Sequence, residues 1–373
     1  GFMENRTFEN LGITTSLLGY GCMRFPMHED KTIHEEEAQK LLDHALTQGV
    51  NYIDTAYPYH DQQSEKFLGK ALKKYPRDAY HLATKLPVWL IEKPEDVRSY
   101  FEEQLRRLQT NYIDFYLFHA LNQERWEAMK KLGMMEEVDK LRAEGKIKYI
   151  GFSFHDEYPV FEEIITHRPW DFCQIQLNYV DTEIQQGMKG YDLAEKLEIP
   201  VIIMEPVKGG ALAKLPREME DHLMKANEKA SVASYAFRYL AGLPHVKVIL
   251  SGMTTMEQLE DNLQTLSPFV PFTKEEALAV DTVTKIYKAR QMNDCTACGY
   301  CMPCPYGVNI PGNFRLWNQG SIYEDLDTAK KRYEAMDPGK RASACVACGA
   351  CEPQCPQFIG IIKDLLQVHE ALG

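Results

Sequence analysis

The chain has 373 residues, a formal net charge of −12, and 45% hydrophobic and 26% charged residues, the balance of a soluble globular protein with a real core. An acidic chain without a basic block argues against a nucleic-acid partner, and no apolar run approaches the ~20 residues that span a bilayer. With no leader-like segment ahead of the first strand, the expected location is cytoplasmic.

The length suits a barrel of ~250 residues with an appendage. Eight short β-prone runs fall at 17–20, 52–53, 80–83, 113–118, 148–152, 172–177, 201–204 and 246–250. Between them lie amphipathic helical patterns. Ala38, Leu41, Leu42, Ala45 and Leu46 form one apolar stripe, opened by a Thr32–Glu35 capping box and closed by Gly49. Another starts at Pro94 and presents Val97, Phe101, Leu105 and Leu108. Strand and helix alternating eight times predicts a (β/α)8 TIM barrel of the α/β class. The charged, helix-prone stretch 215–230 is an insertion before the last strand, and a helix capped by Thr273 and Glu276 leads out of the barrel. The expected domains are the barrel, 3–290, and a small α-rich domain, 291–373. The latter has helices around 325–335 and a closing helix at 359–372.

The segment 51–60 reads Asn-Tyr-Ile-Asp-Thr-Ala-Tyr-Pro-Tyr-His, with Asp54 at a strand end and Tyr59 in the loop beyond Pro58. Lys85 follows the third run and His119 ends the fourth. Asp54, Lys85, His119, Ser153, Gln174, Glu205 and Ser251 each stand at the carboxyl end of a different run, the face on which barrels carry their sites. A phenol serves as a general acid when a nearby cation lowers its pKa. Asp54 holding Lys85, Lys85 lowering Tyr59, and His119 orienting a substrate oxygen make a site suited to hydride transfer.

These pieces, in order, are Leu-Gly-Tyr-Gly-Cys-Met-Arg at the first run, Asp-Thr-Ala-Tyr-Pro-Tyr followed by Ser64-Glu65, Ala-Thr-Lys, Phe-His, Gly-Phe-Ser, Gln174 and Glu205-Pro206. Over about 5–268 they resemble the aldo-keto reductases. The resemblance implies Asp54, Tyr59, Lys85 and His119 as a catalytic tetrad working with a nicotinamide cofactor on a carbonyl or alcohol substrate. It also implies nicotinamide contacts at Ser153 and Gln174. Glu205, Pro206, Lys208 and Gly209, with Ser251, Gly252, Thr254, Gln258 and Asn262, would surround the pyrophosphate and adenosine. Thr254 and Glu257 form an expected capping box whose helix N-terminus faces phosphate. Two departures stand out: Ser153 is followed by Phe154 and His155 where the family often has Asn, and Gly252 and Gln258 fall near positions where many members carry cations for a 2′-phosphate. The preference is therefore NADH over NADPH, with Lys208 as the candidate rescue. No Gly-x-Gly-x-x-Gly fingerprint supports a Rossmann domain.

Eight of the ten cysteines fall in two groups, Cys295, Cys298, Cys301 and Cys304, then Cys345, Cys348, Cys351 and Cys355, each ending in Cys-Pro. Paired Cys-x-x-Cys groups also make zinc ribbons, but three evenly spaced cysteines with a terminal Cys-Pro are the ferredoxin signature of [4Fe-4S] clusters. The second run has the ferredoxin gap of three residues before its last cysteine and the first has two. In two-cluster ferredoxins the fourth cysteine of each run serves the other cluster, and by that rule Cys355 would join the first three and Cys304 would join Cys345, Cys348 and Cys351. The module resembles the ferredoxin-like domain that some aldo-keto reductases carry at the C-terminus. Hydride moves two electrons and each cluster one, which calls for an intermediary such as flavin or for a separate redox partner protein; no flavin motif is visible. The leading expectation is a nicotinamide-dependent oxidoreductase. The alternatives are a redox-sensing or electron-relay protein without carbonyl turnover, and a lyase forming a Schiff base at Lys85.

Overall fold

The computed structural model describes residues 1–373. The chain forms two compact units, Gly1–Ala213 with Ala233–Phe272, and Lys214–Val232 with Thr273–Gly373.

The first unit contains an antiparallel hairpin, β1 (Asn5–Phe8) and β2 (Ile13–Ser16), followed by eight parallel strands closed on themselves. These are β3 (Leu18–Gly21), β4 (Tyr52–Asp54), β5 (His81–Leu86), β6 (Ile113–Leu121), β7 (Ile147–Phe154), β8 (Phe172–Gln176), β9 (Val201–Met204) and β10 (Val246–Ser251). β10 pairs with β3 to close the ring, Ile249 opposite Leu18 and Ser251 opposite Tyr20. The expected barrel is present strand for strand. Alternating residues fill its interior, among them Tyr52, Phe115, Leu117, Phe172, Ile202 and Val248. Gly19 sits where strands approach closely: a Cβ there would stand 2.7 Å from both Leu250 and Val248. The helices lay their apolar stripes on the outside. Val97, Phe101 and Leu108 of helix Glu95–Leu108 are buried in the cluster between barrel and helices, and Leu105 is partly so.

The hairpin was not foreseen, because its short strands mix polar and apolar residues without a clear period. It carries Phe8 into the interior cluster, with its ring 5.6 Å from that of Phe115. Helix Glu35–Thr47 is capped by His34 accepting from the Glu37 N–H, not by the Thr32–Glu35 box; Thr32 instead binds Asp30. Helix Met256–Thr265 starts one residue later than expected, and its capping box is Thr255 with Gln258 rather than Thr254 with Glu257.

The second unit is helical. Lys274–Arg290 opens on the expected Thr273–Glu276 capping box and packs on Arg217–Ala226, with Asn227 donating to Glu276 at 3.2 Å and Arg290 paired to Glu218. The inserted helix therefore belongs with the C-terminal helices. Ile310–Ile322, not anticipated, supplies Phe314 and Trp317 to a core shared with Leu326–Ala335 and Ile361–Leu372. No helix is long and apolar enough to cross a membrane.

Phe8→Ala empties a fully buried site inside the barrel. The expected cost is about 3–5 kcal/mol, read from the barrel's denaturant midpoint; a loss below about 1 kcal/mol would show that the hairpin is not a structural plug.

Candidate functional site

Parallel strands bring their carboxyl ends to one face, and there a cavity of about 480 Å³ opens. Asp54 ends β4, Lys85 is next to last in β5, His119 and Ser153 lie near the ends of β6 and β7, Gln174 is in β8, Glu205 follows β9, and Ser251 ends β10. All seven line this cavity, together with Tyr59.

At its floor Lys85, fully buried, donates from Nζ to Asp54 Oδ1 at 2.8 Å and to the Thr55 carbonyl at 2.6 Å. Its Nζ lies 4.8 Å from the centre of the Tyr59 ring. Burial opposes the ammonium charge, but Asp54 and Tyr59 more than offset it, and the Lys85 pKa is raised. Burial likewise pushes the Asp54 carboxyl up against the pull of Lys85. For Tyr59 burial again leads: the phenol is raised above its ordinary value although Lys85 draws it down. The expected effect of Lys85 is thus present but smaller than desolvation, and Tyr59 stays protonated at neutral pH. His119 faces Tyr59 edge-on at 6.0 Å between ring centres and lies 5.2 Å from Trp89. Burial first, then Lys85, His155 and Arg125, hold its pKa well below the ordinary 6.5, so the imidazole is neutral. Its Nδ1 is buried without a hydrogen-bond partner.

Tyr59 stands in a short turn, Tyr59–Gln62, rather than an open loop, and His60, Asp61 and Gln62 take positive φ of 55°, 52° and 69°. Such a conformation is costly for residues with a side chain and persists only when held. His60 Nε2 accepts from the Phe25 N–H at 2.9 Å on one side. On the other, Arg107 donates to Gln62 Oε1 at 2.7 Å and lies over the Tyr57 ring at 4.1 Å. Arg107 pairs in turn with Glu65, which is fully buried and also accepts from Thr84 at 2.7 Å and Gln104 at 2.9 Å. Gln104 returns to the Lys85 carbonyl at 2.8 Å. One buried network thus joins the Lys85 backbone to the turn bearing Tyr59. Glu65 appeared in the sequence only as part of a motif, and Gln104 and Arg107 not at all; a buried Arg and Gln within an otherwise apolar helix stripe were the available signal.

On the other side of the cavity, Gln174 leaves its buried Oε1 without a partner, and Ser153 Oγ accepts from the Ala120 N–H at 2.6 Å. Pro206, Gly209, Gly252, Thr254, Gln258 and Asn262 also line the cavity, and Asn262 donates to Ser251 Oγ at 3.1 Å. Lys208 does not line it: its ammonium pairs with Asp181. Arg24, which follows β3, was not singled out in the sequence. It bridges to Glu205 at 3.0 Å across the cavity.

In the second unit the two cysteine loops repeat one backbone shape. Ala297 and Ala347 both have φ of 58°, Gly299 and Gly349 have 83° and 81°, and Ala297 and Ala347 donate to the sulfurs of Cys295 and Cys345 at 3.4 Å. A small cavity brings Cys304 together with Cys345, Cys348 and Cys351. Cys295 has Cys298 and Cys355 as neighbours. All eight cysteines are free of disulfides.

A closed parallel barrel with this rim, followed by a cysteine-bearing helical unit, defines an oxidoreductase with an iron–sulfur domain. The chain belongs to the aldo/keto reductase family, whose pattern matches residues 17–285, and residues 294–361 match a 4Fe-4S dicluster domain. It is 35% identical over 207 residues to "Probable aldo-keto reductase 1" of Glycine max, a match covering 53% of this chain and 58% of that one. It is 26% identical over 321 residues to "Uncharacterized oxidoreductase YqkF" of Bacillus subtilis (strain 168), covering 78% of this chain and all (100%) of the relative. Among solved structures, the holo form of aldo-keto reductase AKR11C1 from Bacillus halodurans superposes with a TM-score of 0.63 at 24% identity, covering 75% of this chain and 96% of that one. An aldo-keto reductase from Klebsiella pneumoniae in complex with NADPH gives 0.61 at 22% identity, covering 76% and 96%. These two likenesses bear on the fold.

Because Arg107 holds the Tyr59 turn through Gln62 and Tyr57, Arg107→Ala is expected to leave Glu65 buried without its cation and to cost about 3–5 kcal/mol. Glu65→Gln with Arg107→Met removes both charges and is expected to restore most of that stability, read from the thermal midpoint; no recovery would show that the pair is not coupled.

Proposed function

We propose that this protein reduces a carbonyl compound, or oxidises the corresponding alcohol, with a nicotinamide dinucleotide in the barrel cavity, and that two [4Fe-4S] clusters sit in the C-terminal unit. The observation that carries the reading is the Lys85 ammonium between Asp54 and the Tyr59 ring at the floor of the cavity.

A bound nicotinamide supplies hydride to carbon. Tyr59 gives the proton to the substrate oxygen, since burial keeps its phenol protonated. Lys85 stabilises the phenolate left behind, and Asp54 holds Lys85 in place. Neutral His119 orients the oxygen without competing as a proton source. The unpartnered Oε1 of Gln174 and the hydroxyl of Ser153 fit the nicotinamide carboxamide, with Glu205, Pro206, Gly209, Ser251, Gly252, Thr254, Gln258 and Asn262 around the remainder of the dinucleotide. The preference for NADH rests on Lys208 being engaged by Asp181 outside the cavity wall.

In the second unit, Cys295, Cys298, Cys301 and Cys355 hold one cluster, and Cys304, Cys345, Cys348 and Cys351 the other. The clusters add one-electron chemistry. Exposed Cys348 suits exchange with a separate redox partner.

Two tests follow from these assignments. Tyr59→Phe is expected to lower aldehyde reduction roughly 100- to 10,000-fold with NADH or NADPH. The wild-type kcat/KM profile for reduction should show no limb at the ordinary histidine value of 6.5 and no alkaline loss until above 10.0, the ordinary tyrosine value. An active Tyr59→Phe protein, or a limb near 6.5, would contradict the assignment. For the clusters, Cys304→Ala combined with Cys345→Ala should remove half the bound iron, whereas Cys304→Ala combined with Cys295→Ala should remove nearly all; equal losses would refute the crossed ligand sets.

A further inference from the structure

Arg125 is a half-buried cation beside the site for which the hydride-transfer reading has no task. It lies in the first turn of helix Gln123–Leu132, just after β6 delivers His119. Of the five N–H donors of a guanidinium, one is used within the protein, by the Ala120 carbonyl at 2.9 Å. The guanidinium carbon sits over the Trp89 ring at 4.7 Å, and the Trp89 ring is 5.2 Å from that of His119. The side chain makes no ion pair; the acid it feels most is its exposed chain neighbour Glu124. Its charge acts on both His119 and His155, which line the cavity. In a chain of net charge −12, a partly desolvated guanidinium without a carboxylate is an expensive feature unless a ligand completes it.

We infer that Arg125 is the recognition group for a carboxylate on the substrate, so that the preferred carbonyl compounds are oxo-acids whose acid group is separated from the reacting carbon by a short chain. The assignment rests on the proposed carbonyl chemistry and adds the substrate class. Trp89 and Arg125 lie just beyond the residues that line the cavity, and successive ring neighbours lead out to them. His119 touches both the Tyr59 edge, where the carbonyl oxygen is protonated, and Trp89, across which Arg125 lies. A molecule with oxygen at Tyr59 and a carboxylate at Arg125 spans the His119 and Trp89 rings, and Trp89, 41% exposed, presents an apolar surface to the methylenes between. The forked donors of Arg suit a carboxylate in a way that Lys would not.

The rival role for Arg125 is structural. The Ala120 peptide, at a positive φ of 52°, is clamped by Ser153 on its N–H and by Arg125 on its carbonyl, which steadies His119. The two roles separate in a substrate comparison. The cluster-loaded protein is assayed with succinic semialdehyde and with its methyl ester, which differ in charge. Wild type is expected to favour the acid in kcat/KM, chiefly through KM, and Arg125→Gln to reduce the acid-to-ester ratio roughly 10- to 100-fold, with Arg125→Lys in between. An unchanged ratio, with both substrates slowed alike, would overturn the recognition role and leave the structural one. Calorimetric titration with succinate distinguishes failure of the underlying chemistry. If neither aldehyde is reduced but succinate binds wild type and binds Arg125→Gln at least about tenfold more weakly, the anion site stands and the carbonyl reading falls. Equal succinate binding by both proteins, or binding by neither, would overturn the anion site.

Discussion

The organising constraint is a charge with nowhere to go. Lys85 is wholly inside the barrel, where an isolated ammonium would lose its proton rather than remain charged. It stays charged because Asp54 and the Thr55 carbonyl meet it directly. Removing one member of such a buried pair leaves the other uncompensated, at a cost of about 3–5 kcal/mol, so stability and chemistry depend on the same contacts. Burial first, and then the positive field that results, keeps His119 neutral, and the same field offsets part of the desolvation of Tyr59.

That arrangement is only as good as the frame around it. Closure of the ring by β10 and β3 places Ser251 beside the first strand, while the pairing of β4 with β5 sets Asp54 opposite Ala83, two residues before Lys85. Alternation along β5 then turns Lys85 into the interior. Beneath it Glu65, Gln104 and Arg107 tie the strand to the turn of Tyr59, whose left-handed Gln62 accepts from the Arg107 side chain and whose left-handed His60 accepts from the Phe25 N–H. The hairpin with Phe8 adds an aromatic plug to the interior of the same barrel.

Much of this was legible in the residues. Strand-end polar residues at regular spacing announce a barrel rim, and the seven so identified share one cavity. What was hidden depended on through-space partners. Lys208 has the charge for a phosphate, but Asp181, 27 residues earlier in the chain, claims it. Arg24 looked like the tail of a strand motif until Glu205 met it from across the barrel. Caps moved by one or two residues because His34, a less typical cap, took the place expected of Thr32, and because Thr255 with Gln258 formed the box expected of Thr254 with Glu257. Elements without a clean period, the short strands β1 and β2 and the helix Ile310–Ile322, escaped for want of a pattern. The cysteine spacing was the clearest signal in the chain: the two runs differ only in the gap before the last cysteine, two residues against three, and the two loops reproduce each other's backbone angles.

The central claim is that the buried ammonium makes Tyr59 a competent proton donor. Aldehyde reduction by the double variant Asp54→Asn, Lys85→Met measures this most directly, since it removes both charges together and leaves no lone carboxylate to unfold the barrel. With a native circular dichroism spectrum and full cluster absorbance, turnover is predicted to fall at least about 100-fold. Turnover within a few-fold of wild type would contradict the account.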